Sequence, residues 1–300
     1  MHAFATSERF ATLDAKDRDR LEALCKLDAF SPGTEILSSD TPGDWLYLIA
    51  AGDVEVRAKT PSGEVVLGDL RPGDLFGELE GFAHLPDGVR HVAREDTIVR
   101  AIPKNPLKQE LRQHRSLATG LLSVYARSIS EKVRSASDVA ARFPAPQGSR
   151  PPQANKPGAQ NGPLGRPPHL TLEETVWLAV LGQSLEVQPG EAVVSEGETS
   201  RSFYVIERGL LDVKKKTPAG EVTLAQLADG DLFGFMAFVD GKPRSASVVA
   251  QSVCQLTRVE PDALQKATQL NFTVGFKFLA TLCGVLGRTY RDTAVKVMGN

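Results

Sequence analysis

The amino-acid sequence predicts a mainly β fold with helices, in which one unit occurs twice in tandem. Three observations predict it. The 300-residue chain repeats itself without a gap at a spacing of 157 positions, and roughly a third of the residues between 32 and 100 recur unchanged. Within each copy, short apolar runs of period two alternate with turn residues, as in antiparallel sheets. At the end of each copy, apolar residues recur at helical spacing.

Each copy is predicted to open with a helix. Asp14 is followed by Asp17 three residues later, and at the same place in the second copy Thr171 is followed by Glu174. Thr171 and Glu174 match the capping box, which satisfies backbone N–H groups at a helix start, and Asp14 with Asp17 is a weaker version of it. We therefore expect helix starts near residues 15 and 172.

The middle of each copy is predicted to be a set of strands. Runs such as 45–49, 53–57 and 65–70 are short, are rich in apolar residues and are separated by Gly, Pro and Asp. Residues 61–63 and 218–220, both Pro-x-Gly, lie where hairpin tips belong. The pattern indicates an antiparallel sandwich or a jelly-roll barrel.

Each copy is predicted to end in a long helix, and the first of the two is predicted to have roughly 30–35 residues and to span about 50 Å. Apolar positions step by four and three along both helices, which gives the seam that paired helices require. The alternative is that each seam packs on its own barrel. The two predicted seams are Leu122, Ala126, Ile129, Val133, Ala136 and Ala140, and Leu279, Cys283, Leu286, Tyr290, Thr293 and Val297.

The chain is predicted to divide into domain 1 (residues 1–143), a disordered linker (144–168) and domain 2 (169–300). The linker contains eight prolines and four glycines and shows no apolar periodicity. Its 25 residues reach about 80 Å when extended. That length lets the chain return along the first long helix, so both seams can lie side by side and parallel within one chain. A homodimer formed by each copy separately is the alternative.

Composition excludes several classes. The net charge of −2 and the lack of a basic stripe argue against a nucleic-acid binder. The most apolar stretch, residues 270–287, contains Lys277, so we expect no membrane span. Three distant cysteines and no visible signal peptide indicate the cytoplasm. No catalytic set or metal-ligand spacing stands out, so we expect neither an enzyme nor a metal site.

The order of these elements, together with Gly-Asp-Leu-Phe-Gly-Glu-Leu at 73–79, resembles the cyclic-nucleotide-binding domain. This is the cupin-like jelly-roll module of catabolite activator proteins and of the regulatory subunits of cyclic-nucleotide-dependent kinases. The resemblance covers residues 13–140 and 170–297. It implies two jelly-roll barrels, each with an N-terminal helix and a long C-terminal helix.

The resemblance also implies a phosphate-binding cassette in each copy. In that cassette a glycine and a helix start approach the cyclic phosphate, a glutamate accepts the ribose 2′-hydroxyl, and an arginine pairs with the phosphate. In the first copy Gly77, Glu78 and Leu79 match, but Asp87 stands in place of the arginine. Arg90, three residues later, is the nearest substitute.

The second copy has the opposite loss. Gly234, Arg244, Ser245 and Ala246 match the family pattern, whereas Phe235 replaces the glutamate. The phosphate end is therefore present without the sugar ligand. An arginine–phosphate pair contributes more binding free energy than a single hydrogen bond to the sugar does. The second copy is therefore the better candidate for binding cAMP, cGMP or another anion.

Two functions remain open from the sequence. The first is a non-enzymatic regulatory protein in which a ligand biases the long helices and a protein partner. The second is a ligand-independent interaction scaffold that has lost nucleotide binding. The near balance of basic and acidic residues argues against direct DNA binding, and because the long helix runs almost to Asn300 we expect no winged-helix module.

Overall fold

The computed structural model describes residue 4 and residues 7–41, 43–142, 182–263, 266 and 271–299. The proposed linker and the helix start near residue 172 lie outside these ranges. The strands of the first copy are β1 Lys26–Phe30, β2 Glu35–Ser38, β3 Trp45–Ala51, β4 Val54–Thr60, β5 Gly63–Leu70, β6 Leu75–Phe76, β7 Val89–Ala93 and β8 Thr97–Pro103. Those of the second are β9 Gln183–Val187, β10 Ala192–Val194, β11 Phe203–Arg208, β12 Leu211–Thr217, β13 Gly220–Leu227, β14 Leu232–Phe233, β15 Ser247–Ala250 and β16 Cys254–Val259.

Five α-helices are described beside these strands: α1 Ala15–Leu24, α2 Lys104–Gln113, α3 Arg115–Ala140, α4 Phe235–Asp240 and α5 Phe272–Met298. The carboxylate of Asp14 accepts a hydrogen bond from the Asp17 N–H at 2.7 Å, so the first predicted helix start is confirmed. In the first copy a 3-10 turn, Leu79–Gly81, takes the place of α4. Gly81 stands where the second copy has Phe238, and glycine disfavours a continued helix.

Both copies form the same jelly-roll of two four-stranded antiparallel sheets. The sheet orders in the first are β1-β8-β3-β6 and β2-β7-β4-β5, and the second repeats them as β9-β16-β11-β14 and β10-β15-β12-β13. The predicted hairpin tips are confirmed: Thr60 pairs with Gly63, and Thr217 pairs with Gly220. Each of these threonine hydroxyls donates to the carbonyl oxygen of its glycine.

The two long helices, α3 and α5, pack against each other in parallel. The Cys283 thiol donates to the Leu122 carbonyl oxygen at 3.4 Å near one end, and Ala140 of α3 and Lys296 of α5 line the same cavity near the other. All six predicted seam residues of α3 are buried. In α5, Leu279 and Thr293 are only half-buried, and Ala294 is fully buried in place of Thr293. The reason is that a straight α-helix has about 3.6 residues per turn, so positions spaced by about 3.5 residues drift around its surface.

The first long helix is shorter than the sequence predicts. A break at His114, which has extended backbone angles, separates α2 from α3, so α3 has 26 residues and spans about 39 Å. One core runs through the first barrel, α3, α5 and the adjoining part of the second barrel, including Phe203 and Phe235. No helix in the described part of the chain combines the length and apolarity that crossing a bilayer requires.

Candidate functional site

The two cassettes begin with the same backbone turn. Gly77 and Gly234 have φ angles of 91° and 81°, a region that side chains rarely adopt. A Cβ atom on Gly77 would lie 2.5 Å from the Trp45 carbonyl oxygen, and one on Gly234 would lie 2.9 Å from that of Ser202. Trp45 begins β3 and its counterpart Ser202 lies just before β11, so each turn is held against the equivalent strand of its own domain and requires glycine.

Glu78 of the first cassette is enclosed by its own chain. Its side chain is 0% exposed, and it forms an ion pair with the Lys132 ammonium group of α3. The Ser128 hydroxyl donates to the same carboxylate at 2.9 Å. Lys132 also donates to the Leu75 carbonyl oxygen at 2.6 Å and to Ser128 at 2.9 Å. The carboxylate that would accept a sugar hydroxyl in a family site therefore already has a partner.

Arg90 lies apart from this carboxylate. It belongs to β7, where it forms ion pairs with Glu35 and Glu64 and is partly exposed. The next residue, His91, is buried, and its ring stacks on Phe76 with the centroids 5.2 Å apart. Burial, together with the nearby Lys132 charge, lowers the pKa of His91 to about 3, so the imidazole is neutral. Arg90 and Glu78 are not brought into one site.

The cavity beside the first cassette is small, about 70 Å³. Tyr290 of α5 lines it together with Ser128 and Lys132 of α3. The counterpart of Tyr290 in the repeat is Val133, a much smaller side chain. The long helix of the second copy therefore helps to fill the first barrel. Asp87, which stands where the family arginine belongs, is exposed.

Arg244 of the second cassette is buried, with 5% of its surface exposed. Its guanidinium donates to the Gly234 carbonyl oxygen at 2.8 Å, to that of Ser202 at 2.7 Å, and to the Ser200 hydroxyl at 3.0 and 3.3 Å. These acceptors are all neutral. The arginine thereby holds the glycine turn against the start of β11, and desolvation lowers its pKa.

A cavity of about 160 Å³ opens beside Arg244. The predicted residues Gly234, Arg244, Ser245 and Ala246 all line it, so the structure brings these four together. Both long helices form part of its wall, and Phe235 lines it where the family glutamate would stand. Residues contributed by the helices are Val133, Ser137 and Ala140 of α3, and Thr289, Asp292, Thr293 and Lys296 of α5.

A second connection links this cassette to the first copy. The Asp240 carboxylate, at the end of α4, is buried and accepts two hydrogen bonds from Arg134 of α3, at 2.7 and 3.0 Å. Ser130 donates to it at 2.8 Å, and Arg134 also donates to the Pro243 carbonyl oxygen at 2.8 Å. The residue before Arg244 is thus tied to the first long helix.

A family model for the cyclic nucleotide-binding domain matches residues 27–114 and again residues 184–271, more than half of the chain. The chain belongs to the cyclic nucleotide-binding domain family. The two matched stretches are displaced by the same 157 positions as the internal repeat, so each copy is one domain of this family. The exact ends of domain 1, the linker and domain 2 stay a prediction.

Among curated proteins, the cyclic nucleotide-binding chain is similar to cAMP-dependent protein kinase regulatory subunits. That of Yarrowia lipolytica is 26% identical over 238 residues, which cover 78% of this chain and 52% of the relative. That of Mycosarcoma maydis is 23% identical over 290 residues, which cover 92% of this chain and 47% of the relative. The chain spans about half the length of these relatives.

Solved structures with a similar fold include the regulatory domain of Toxoplasma gondii PKA in a crystal with cAMP. It is 18% identical, with a TM-score of 0.32, and the match covers 93% of each chain. The catabolite activator protein of Thermus thermophilus is 26% identical with a TM-score of 0.35, and the match covers 38% of this chain and 54% of that protein.

Sequence reasoning missed the residues that the long helices bring to the two domains. Lys132 and Ser128 are 54 and 50 positions from Glu78, and neither matches the family cassette. The signal that points to them is the parallel pairing of the seams, because a helix shared by two barrels must present residues to both. Among the described residues, no three His, Cys, Asp or Glu side chains come together as metal ligands would.

Proposed function

We propose that the chain is a non-enzymatic regulatory protein whose second domain takes an anionic ligand, and the family resemblance makes cAMP and cGMP the ligands to test. The observation that carries this proposal is the cavity where Gly234, Arg244, Ser245 and Ala246 meet both long helices. A buried arginine beside an open cavity suits an anion, because the ligand charge compensates a cation removed from water. The similarity to regulatory subunits supports the regulatory class.

The ligand would act through the long helices. Part of the cavity wall belongs to α3 and part to α5, so an occupant contacts both helices at once. The cassette that holds Arg244 is also tied to α3 through Asp240 and Arg134. A movement of the cassette toward an anion therefore changes the packing of the helix pair. A protein partner that contacts α3 and α5 would respond to the changed packing of these helices.

The first domain has a supporting role in this proposal. Gly77 and Leu79 shape its cassette turn, Glu78 pairs with Lys132, and Arg90 pairs with Glu35 and Glu64 on the outer side. The two charged residues among the predicted ligands of this domain are thus paired within the chain, Glu78 through one of its two carboxylate oxygens. We place the protein in the cytoplasm, where its free thiols persist, without a nucleic-acid or membrane partner.

The experiment is isothermal titration of the full chain with cAMP and with cGMP. The full chain is needed because α3 of the first copy forms part of the cavity wall. We expect Arg244→Ala to weaken binding at least tenfold, because it removes the charge that faces the anion. Ligand at 100 times its dissociation constant should add about 2.7 kcal/mol to the free energy of unfolding.

Two variants serve as controls. Arg94→Ala removes an arginine of the first domain that is 60% exposed, and it should leave binding unchanged. Arg244→Lys keeps the charge but loses the planar fork, so it separates loss of charge from loss of the turn that Arg244 holds. Binding that is equally tight in Arg244→Ala and in the unaltered chain would contradict the proposal.

The alternative is a ligand-independent interaction scaffold. The observation that favours it is the Glu78–Lys132 pair, because one of the two sites is already filled from within the chain. A scaffold predicts that no anion changes the melting temperature of the full chain. A melting shift that depends on Arg244 would exclude it.

A further inference from the structure

The lining of the second domain's cavity is unlike a sugar site. Phe235 stands where the family places its glutamate, and it is 6% exposed. The Thr289 and Thr293 hydroxyls, on the opposite wall, donate to the Val285 and Thr289 carbonyl oxygens at 2.9 and 2.7 Å. A ribose hydroxyl that enters beside Phe235 meets an aromatic ring where the family has a carboxylate, so it lacks that acceptor after giving up its hydrogen bonds to water.

The volume of the cavity also argues against a cyclic nucleotide as its ligand. Its volume of about 160 Å³ is close to that of an apolar protein cavity known to hold one benzene molecule, about 150 Å³. A cyclic nucleotide joins a purine, a ribose and a cyclic phosphate and is several times larger than one ring. The cavity is partly open to solvent, and the space within it fits a single ring or a branched hydrocarbon of similar size.

The charge of the ligand follows from Arg244. The four hydrogen bonds of its buried guanidinium go to two carbonyl oxygens and one hydroxyl. None of the carboxylates in the described part of the chain forms an ion pair with it, although Glu198 and Glu260 act on it from farther away. A buried cation held only by neutral acceptors is stabilised by an anion that shares its pocket.

We propose that the second domain recognises a small apolar monoanion, a carboxylate carried on one aromatic ring or on a compact branched hydrocarbon, in preference to a cyclic nucleotide. This rests on the proposed function, in which the same cavity is the sensing site. The carboxylate pairs with Arg244 at one end, and the apolar body lies against Phe235, Met236 and the side chains of β12 and β13.

The test is a titration of the full chain with four probes: benzoate, benzyl alcohol, acetate and cAMP. Benzyl alcohol has the ring without the charge, and acetate has the charge without the ring. We expect benzoate to bind at least tenfold more tightly than each of the other three, and Arg244→Lys to weaken benzoate at least fivefold. We also expect benzoate to raise the melting temperature of the full chain.

Exchange of Phe235 tests the selectivity directly. Phe235→Glu places a carboxylate in the cavity, so it should weaken benzoate at least tenfold and strengthen cAMP. Phe235→Leu keeps the wall apolar and should retain the order of the four probes, which separates chemistry from a folding defect. Both variants are checked for an unaltered melting profile without ligand.

The outcomes separate this inference from the proposed function. Tighter binding of cAMP than of benzoate, dependent on Arg244, would overturn the ligand class and leave the sensing role of the cavity standing. Equal binding of benzyl alcohol and benzoate would overturn the role given to the charge. Failure of all four probes to bind or to shift the melting temperature would overturn both.

Discussion

Two pairs of equivalent residues distinguish the cassettes at the scale of single side chains. The first domain has Glu78 and Lys132, and the second has Phe235 and Thr289 at the same places in the repeat. The first pair is ionic and buried, with side-chain exposures of 0% and 5%. The second pair is neutral. In the first barrel Lys132 neutralises the charge of Glu78. In the second barrel the equivalent place is part of the cavity beside Arg244.

Removal of Lys132 should destabilise the first domain strongly. Lys132→Ala leaves the Glu78 carboxylate buried without a cation, at a cost of about 3–5 kcal/mol. The double variant Glu78→Leu/Lys132→Met replaces the pair by apolar groups of similar size and should recover most of the loss. Urea unfolding of the full chain measures both. Lys242→Ala, at a lysine that is 51% exposed, is the control and should cost less than about 1 kcal/mol.

A cost below 1 kcal/mol for Lys132→Ala would contradict the role of Glu78 as the buried partner of Lys132.

The sequence indicated Glu78 as a site residue because its local motif is specific. It did not indicate the lysine, because an ion pair between positions 78 and 132 depends on how a helix lies across a barrel. Local spacing does not encode that placement.

Helix α3 is the element that both domains share. It supplies Lys132 and Ser128 to the first barrel, and Arg134 and Ser130 to Asp240 of the second cassette. The counterpart of Asp240 in the repeat is Ala83, so α5 has no matching carboxylate to hold in the first domain. Among the described residues, the ion pair between a cassette and the long helix of the other copy is therefore formed by the second cassette and not by the first.

The Arg134–Asp240 contact should show strong coupling in a double-mutant cycle. We expect Arg134→Ala and Asp240→Ala to be non-additive by about 2 kcal/mol, because both hydrogen bonds of the buried carboxylate to arginine are lost in either variant. The more exposed pair of Lys242 with Glu131, 3.0 Å apart, is the matched control and should couple by less than about 0.5 kcal/mol. Unfolding free energies of the six variants give both values.

Additive losses at Arg134 and Asp240 would mean that the cassette and α3 are not energetically linked.

At the scale of helices and strands, the sequence predicted most of the fold. Period-two runs, Pro-x-Gly tips and the Asp14 cap are local signals, and each appears in the structure. The break at His114 was not predicted, because the residues around it are compatible with a continuous helix and the path of α2 over the barrel decides the bend.

The whole molecule is a pair of similar domains joined through parallel helices of one chain. The residues at the centre of the contact, Ala126, Ile129 and Val133 of α3 with Cys283 and Leu286 of α5, are all at most 1% exposed. A surface so completely buried within one chain is not available to a second copy. The tandem repeat in the sequence predicted two domains, and the 3.5-residue seams predicted how they meet.

The intact chain should therefore be a monomer of 32.3 kDa by light scattering. A protease site inserted between residues 150 and 166 tests whether the helices alone hold the halves together. After cleavage we expect both halves to elute as one particle at micromolar concentration, because the buried apolar contact persists without the covalent tether. Ala126→Glu places a charge at a position that is 0% exposed, and it should release the halves. Separation of the cleaved halves without this change, or a species of twice the mass before cleavage, would instead assign the seams to contacts between chains.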